Sequence, residues 1–190
     1  MESRGARVED GTAGARFEAV VLPHLDAAYN LARWLTRDEH AAEDMVQEAY
    51  LRALKFFTSF RGEDARAWIL TIVRNACFDW LKVRRTEEFH DPFDEDIHSP
   101  EIDSSAGQAE GAGANPEVSV LRSATGERIR DALEGLPVEY RVAFVLRELE
   151  GFSYKEIASI TGVPIGTVMS RLARARKQLR KQLDLEREEC

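Results

Sequence analysis

The chain has 190 residues, with 26 Lys and Arg against 34 Asp and Glu, and a formal net charge of -8. Two cysteines make no disulfide framework, and no run of ~18 apolar residues exists to span a membrane, which excludes a disulfide-stapled secreted module and an integral membrane protein. The length allows one or two domains, the 44% hydrophobic content lies in the globular range, and a reduced, cytoplasmic setting is expected.

Residues 1–15 are rich in charge, Gly and Ala and lack the apolar centre of a signal peptide, so they are expected to form a disordered N-terminal tail. From there Phe17, Val21, Leu25, Ala28, Leu31, Ala32 and Leu35 recur at helical spacing. A second stripe runs through Ala42, Met45, Val46, Ala49, Tyr50, Ala53, Leu54 and Phe57, with Asp44, Gln47 and Glu48 off it. A third begins near Asp64 or Ala65 and carries Trp68, Ile69, Ile72, Val73, Ala76, Trp80 and Leu81. Three helices with one buried face each can enclose a small core, which places a first helical domain at 16–86. Trp68 and Trp80 on an apolar stripe read as core residues, and Asp79 as a carboxylate that orders neighbouring cations.

Residues 87–120 contain no Lys or Arg but ten carboxylates: Glu87, Glu88, Asp91, Asp94, Glu95, Asp96, Glu101, Asp103, Glu110 and Glu117. A segment of such composition buries too little apolar surface to offset its ordering entropy, so a flexible acidic linker is expected. It also accounts for the acidic total. The remainder, 121–185, forms a second helical domain, followed by a short tail at 186–190. At about 70 and 60 residues, each domain would be marginal alone.

The end of this second domain is the most informative stretch. Ile157, Ala158 and Ile160 mark the buried side of a short helix, Gly162 supplies a turn that needs φ > 0, and Val163 and Val168 fill the angle with the next helix. On that helix Val168, Leu172, Ala175 and Leu179 form the inward stripe, leaving Thr167, Ser170, Arg171, Arg174, Lys177 and Lys181 outside it. Between Gly166 and Leu183 six cations occur without a carboxylate. Hydroxyls near a helix N-terminus with cations along its length suit the DNA major groove, where Arg can grip guanine with two hydrogen bonds. An amphipathic helix with a solvated basic face is the plainer alternative.

Several segments carry a more specific likeness. Leu136-Pro137, Arg141, Phe144 to Glu148, Gly151 to Tyr154, Glu156-Ile157-Ala158, Gly166-Thr167-Val168, Ser170-Arg171-Leu172 and Arg174-Ala175-Arg176 resemble the fourth conserved region of bacterial sigma-70-type transcription initiation factors. Asp44 to Tyr50 resembles the second region, and so does the run of Trp68, Ile72, Arg74-Asn75, Asp79-Trp80, Lys82, Arg84 and Arg85. A chain with only these two regions is similar to the compact extracytoplasmic-function (ECF, group IV) sigma factors. The fold that this implies is all-α: a region 2 helical bundle and a region 4 helix-turn-helix joined by the acidic linker.

The resemblance also implies roles. Thr167, Ser170, Arg171, Arg174, Arg176 and Lys177 would read a promoter's -35 element. Met169 stands where relatives often carry Lys or Arg. Phe60, Arg61, Arg74, Asn75, Lys82, Arg84 and Arg85 would open and hold the -10 element, with Phe60 and Arg61 in the loop where relatives keep a flipped-out base. Asp44, Gln47 and Glu48 would dock on core RNA polymerase, whose largest-subunit clamp helices and flap are the implied contacts. An anti-sigma factor is the implied regulator. The linker would either run through the polymerase channel or act as a mere tether.

Enzyme chemistry finds no support. His24, His40, His90 and His98 lie in different segments, and no His-Glu-x-x-His, Cys-x-x-Cys or Gly-rich phosphate loop is present. No catalytic residue, metal site or cofactor is expected, nor any membrane insertion. Two other classes compete: a stand-alone helix-turn-helix regulator whose N-terminal helices sense a signal or dimerise, and a helical adaptor with an incidental basic face.

Overall fold

The computed structural model describes residues 14–62, 64–88 and 126–188. Among these residues the chain is all helix, with no strand: α1 (14–21), α2 (Leu25–Thr36), α3 (Glu39–Phe56), α4 (Ala65–Glu88), α5 (126–134), α6 (Val138–Phe144), α7 (Tyr154–Thr161) and α8 (Ile165–Glu188). Residues 1–13 and 189–190 of the expected tails lie outside the described residues, as does the acidic linker apart from Glu87 and Glu88, which continue α4.

The first apolar stripe is divided between two helices. Pro23 has no N–H to donate and restricts the residue before it, and a short 3-10 turn at Leu22–His24 separates α1 from α2 there. Leu25, at the start of α2, is consequently 44% exposed rather than buried with the rest of its stripe. α2 ends at Arg37, whose φ of 59° is left-handed and whose N–H bonds the carbonyl of Arg33. Asp38 then opens α3 as its N-cap, its carboxylate accepting the N–H of Ala41 at 2.8 Å. Leu54, the other misplaced stripe residue, is 50% exposed at the far end of α3.

Phe17, Ala28, Leu31, Leu35, Ala49, Ala53, Phe57, Ile69 and Val73 build the core among α1 to α4. Ala132, Leu133, Leu136, Ala175 and Leu179 pack α5 and the α5–α6 corner against α8. Both helical groups expected from the sequence are therefore present. They do not stand apart, however. The first core runs on without a break through Val142, Leu146, Phe152, Ile157, Ile160, Val168 and Leu172, with α4 packed on α7 and α2 on α6.

Arg141 joins the two groups polar to polar. It is 2% exposed, and its guanidinium donates to the carbonyls of Leu133 (3.1 Å), Glu134 (2.9 Å) and Leu136 (2.8 Å) at the end of α5, and of Trp34 (2.8 Å) in α2. The last carbonyls of a helix have no partner within it, and here one side chain serves two helix ends. Arg37 adds a bond to Glu134 O from the α2 side.

Arg141→Met keeps the apolar stem and takes the donor from the carbonyls of Trp34 and Leu136, while Leu133 O keeps the N–H of Leu136 and Glu134 O keeps Arg37, so unfolding in urea should show a loss of about 2 to 4 kcal/mol. A change under about 0.5 kcal/mol would mean that the carbonyls find water instead.

Candidate nucleic-acid interface

α7 is set by a capping box: Ser153 Oγ accepts the N–H of Glu156 at 3.3 Å, and the Glu156 carboxylate accepts the N–H of Ser153 at 2.7 Å. The helix ends at Gly162 with φ of 68°, the left-handed position that the sequence required there, and Pro164 starts α8 by accepting the N–H groups of Thr167 and Val168. Val168, Leu172, Ala175 and Leu179 are buried, as their spacing predicts.

Both flanks of α8 are tied down. Arg174 donates to the Tyr140 hydroxyl of α6 at 3.2 Å, and Arg176 pairs with Glu148 at 2.6 Å. Two residues apart means about 200° around a helix, so the ties sit on opposite sides and fix the rotation of α8 about its axis. Glu148 belongs to a π-helical turn, Val145–Leu149, that continues α6. Its carboxylate raises the already high pKa of Arg176, with a further contribution from Tyr154. Also exposed on this helix are Met169, Ser170, Lys177, Arg180 and Lys181, with Ser170 Oγ bonded to Thr167 O at 3.0 Å. Thr167 and Arg171 are half-buried on the flank.

The expected -10 residues divide between buried and exposed positions. Phe60 is buried: its ring stacks on Phe57 at 5.9 Å and lies 4.7 Å from Trp68. It backs the loop rather than offering a free face, and any side chain in place of Gly62 would meet it at 3.1 Å. Arg61, Asn75, Lys82, Arg84 and Arg85 are exposed. Arg84 stands over the Trp80 ring at 5.2 Å. Asp79 sits between Lys82 (3.6 Å) and Arg52 (3.7 Å), the ordering role its neighbours suggested. Arg74 is half-buried over Phe78 and donates to Asn75 Oδ1 at 2.9 Å. Burial lowers its pKa first, and the positive charge of Arg171 on α8 lowers it further.

On α3, Asp44 and Gln47 are exposed while Glu48 is half-buried and paired with Arg52 at 2.5 Å. Asp44 and Gln47 continue into Leu51 and Leu54, 63% and 50% exposed, at the three- and four-residue spacing of one helical row. Apolar spacing alone puts Leu54 inward and leaves Leu51 without a role; the signal for both is the polar pair one turn before. Beside this row, a groove of about 470 Å³ opens between α2 and α3 over Leu25, Tyr29, Val46 and Tyr50. Cys77 is buried and its thiol is pushed up to about 12, so it stays protonated and unreactive at neutral pH. Among the described residues no cluster of His, Cys, Asp and Glu could hold a metal ion, and no helix is long and apolar enough to cross a membrane. His90 and His98 lie outside them.

Residues 20–87 match the family model for Sigma-70 region 2, and residues 126–179 match that for Sigma-70, region 4. The chain belongs to the sigma-70 family. It is 33% identical to the ECF RNA polymerase sigma factor SigE of Mycolicibacterium smegmatis over 96% of this chain and 68% of that one. It is also 33% identical to the RNA polymerase sigma-H factor of Pseudomonas aeruginosa, covering 93% and 90%. The likeness places this sigma-70 protein in the ECF subfamily. Among solved structures, the sigma factor RpoE of Bartonella quintana, in complex with the anti-sigma factor NepR, is similar with a TM-score of 0.69 at 30% identity, covering 89% of this chain and 97% of that one. CnrH, in complex with the cytosolic domain of CnrY, shares the fold at a TM-score of 0.61 and 23% identity over 94% and 97%.

The capping box makes the seating of α7 in this sigma-70 protein sensitive to acid. Hydrogen bonds from Ser153 hold the Glu156 carboxyl below its usual range. A depressed carboxyl stabilises the fold above its unfolded pKa of about 4.3 and loses that contribution as pH falls through the lower folded value. Glu156→Gln retains a capping acceptor without a titrating group. The thermal midpoint of the native protein should therefore fall more steeply than that of the variant between about pH 5 and 3; parallel curves would show that the box contributes nothing.

Proposed function

We propose that the chain is an ECF sigma factor that binds core RNA polymerase, directs it to promoters through the -35 and -10 elements, and so initiates transcription. The single observation that carries this reading is the outward face of α8, cationic and without a carboxylate through Lys181, held at a set rotation behind a helix-turn-helix of the sigma-70 family. Ser170, Arg174 and Lys177 would enter the -35 major groove, with Thr167, Arg171 and Arg176 on its rims. Arg61 and Asn75 would meet an extruded -10 base, and Lys82, Arg84 and Arg85 the phosphates. Arg74 would join them from its seat over Phe78, while Phe60 would support the loop from below.

Asp44, Gln47 and Glu48 would dock on the clamp helices of the polymerase, with the flap as the second contact near the C-terminal helices. The mixed row that ends in Leu51 and Leu54 suits a protein partner better than DNA, since its apolar part gains only by burial. An anti-sigma factor fits as regulator, because the Bartonella quintana relative was solved with one and its likeness spans both helical groups. The protein would act without chemistry of its own, in the cytoplasm, with no cofactor.

Pull-down with core polymerase followed by run-off transcription on a mixed promoter library tests the proposal. Specific start sites that depend on the added chain are the expected result, whereas binding of palindromic DNA as a dimer without polymerase would replace the reading with a stand-alone regulator. Neutralising ~4 to 6 phosphates gives log K a slope of about -4 to -5 against log salt. Lys177→Ala should flatten it by ~1, while Arg174→Ala should cost ~1–3 kcal/mol and relax base preference. Gln47→Ala with Leu51→Ala should weaken polymerase capture without changing DNA preference.

A further inference from the structure

The face that α8 turns to solvent is not cationic throughout. Its inward stripe, Val168, Leu172, Ala175 and Leu179, is buried, and the ties of Arg174 to Tyr140 and of Arg176 to Glu148 bound the opposite side. At ~100° per residue the outer arc between those ties is about 160° wide, running from Arg174 through Ser170, Lys177 and Ala173 to Met169 and Arg176. In the first two turns this arc carries no charge. Met169 is 51% exposed, Ala173 one turn on is exposed too, and Ile165 one turn back is 44% exposed. A single surface methionine needs no explanation. This row, however, lies on the face of α8 assigned to DNA and near the helix N-terminus, where side chains reach base edges once such a helix enters the major groove.

Base edges differ in what they offer an apolar row. In the major groove guanine presents two acceptors, adenine an acceptor and a donor, and cytosine a donor, whereas thymine alone adds a methyl group to its acceptor. A methionine side chain has no donor and only a weak acceptor at sulfur. Against the other three bases it would cover polar atoms without pairing them, which costs free energy. Against thymine it covers a methyl group and removes apolar surface of both partners from water. Its three rotatable bonds let the thioether follow that methyl without a strict docking angle. Ser170 beside it can bond several base edges and so imposes little choice of its own.

We propose that Met169 is a specificity-determining residue of the recognition helix: with Ala173 beside it, it reads the 5-methyl group of a thymine in the -35 element and disfavours guanine there. The inference deepens the reading of α8 as the helix that enters the -35 element, and it rests on that reading. The apolar row sets which base pair is accepted at one position, while Arg174 and Lys177 supply hydrogen bonds and charge along the same groove.

The test uses the full chain assembled with core polymerase on a promoter library randomised across the -35 element, with the bound DNA sequenced. The native chain should enrich thymine, on one strand or the other, at one position. Met169→Ala should flatten the preference there and leave the other positions as they are. Met169→Arg should move it to guanine, which a guanidinium grips through O6 and N7. On the best native promoter, deoxyuridine is then put in place of each -35 thymidine in turn, which removes only the methyl group. At the enriched position the native assembly should bind ~3- to 5-fold more weakly, the worth of about one buried methyl group, whereas the Met169→Ala assembly should bind the two DNAs equally.

Native binding that is indifferent to the thymine methyl at every -35 position would overturn the proposal. So would a Met169→Ala chain that keeps the native base preferences, including one whose only defect is weaker capture of core polymerase, since that would give the row to a protein partner. If the native chain enriched no -35 sequence at all, the sigma-factor reading itself would fail and take this inference with it.

Discussion

The buried guanidinium of Arg141 organises much of its surroundings. A planar group with five donors can serve several carbonyls at once, which an ammonium on a flexible stem cannot do in the same geometry. By collecting Leu133, Glu134 and Leu136, Arg141 fixes the corner between α5 and α6. That corner orients α6, and α6 through Tyr140 and the turn carrying Glu148 orients α8. Burial, with Arg37 nearby, brings the guanidinium pKa down to about 10, still high enough for full charge at neutral pH. The choice of outward side chains on the recognition helix is thus traceable to a residue that is almost wholly hidden from solvent.

The same guanidinium reaches Trp34, so the geometry of the helix-turn-helix is linked to that of the N-terminal bundle. The seam between them combines an apolar centre with the ion pair of Arg66 and the largely buried Glu150. Interfaces between domains of one chain are usually of this more polar and separable kind. A purely apolar seam would commit the chain to one arrangement, and a purely charged one would not hold it.

Charge is also sorted by neighbourhood. Glu48, Arg52, Asp79 and Lys82 form a chain of opposite charges from α3 to α4. Asp79 and Lys82 are exposed and Glu48 and Arg52 only half-buried, so solvent and salt leave the chain little weight in stability, and its effect is to hold side chains in place. The outward face of α8 has no such partners through Lys181, where the residues remain available to an external polyanion. Arg174 and Arg176 mark the boundary between the two regimes, each cationic and each already held by a neighbour.

What the sequence determined by itself is local. Gly162, the capping residues Ser153 and Glu156, the stripe from Val168 to Leu179 and the cationic run opposite it depend on spacing and backbone preference within one or two turns, so reading along the chain finds them. Periodicity names a face but not how far a neighbour covers it, which is why Leu25 and Leu54 fall on internal stripes and are exposed. Only the tertiary structure decided that Phe60 is packed between rings, that Glu148 holds Arg176, and that the two helical groups close on each other. Arg66 meets Glu150 across 84 residues and Arg141 meets Trp34 across 107. Pairings at such separation depend on how whole helices pack, and no pattern within either segment encodes the other.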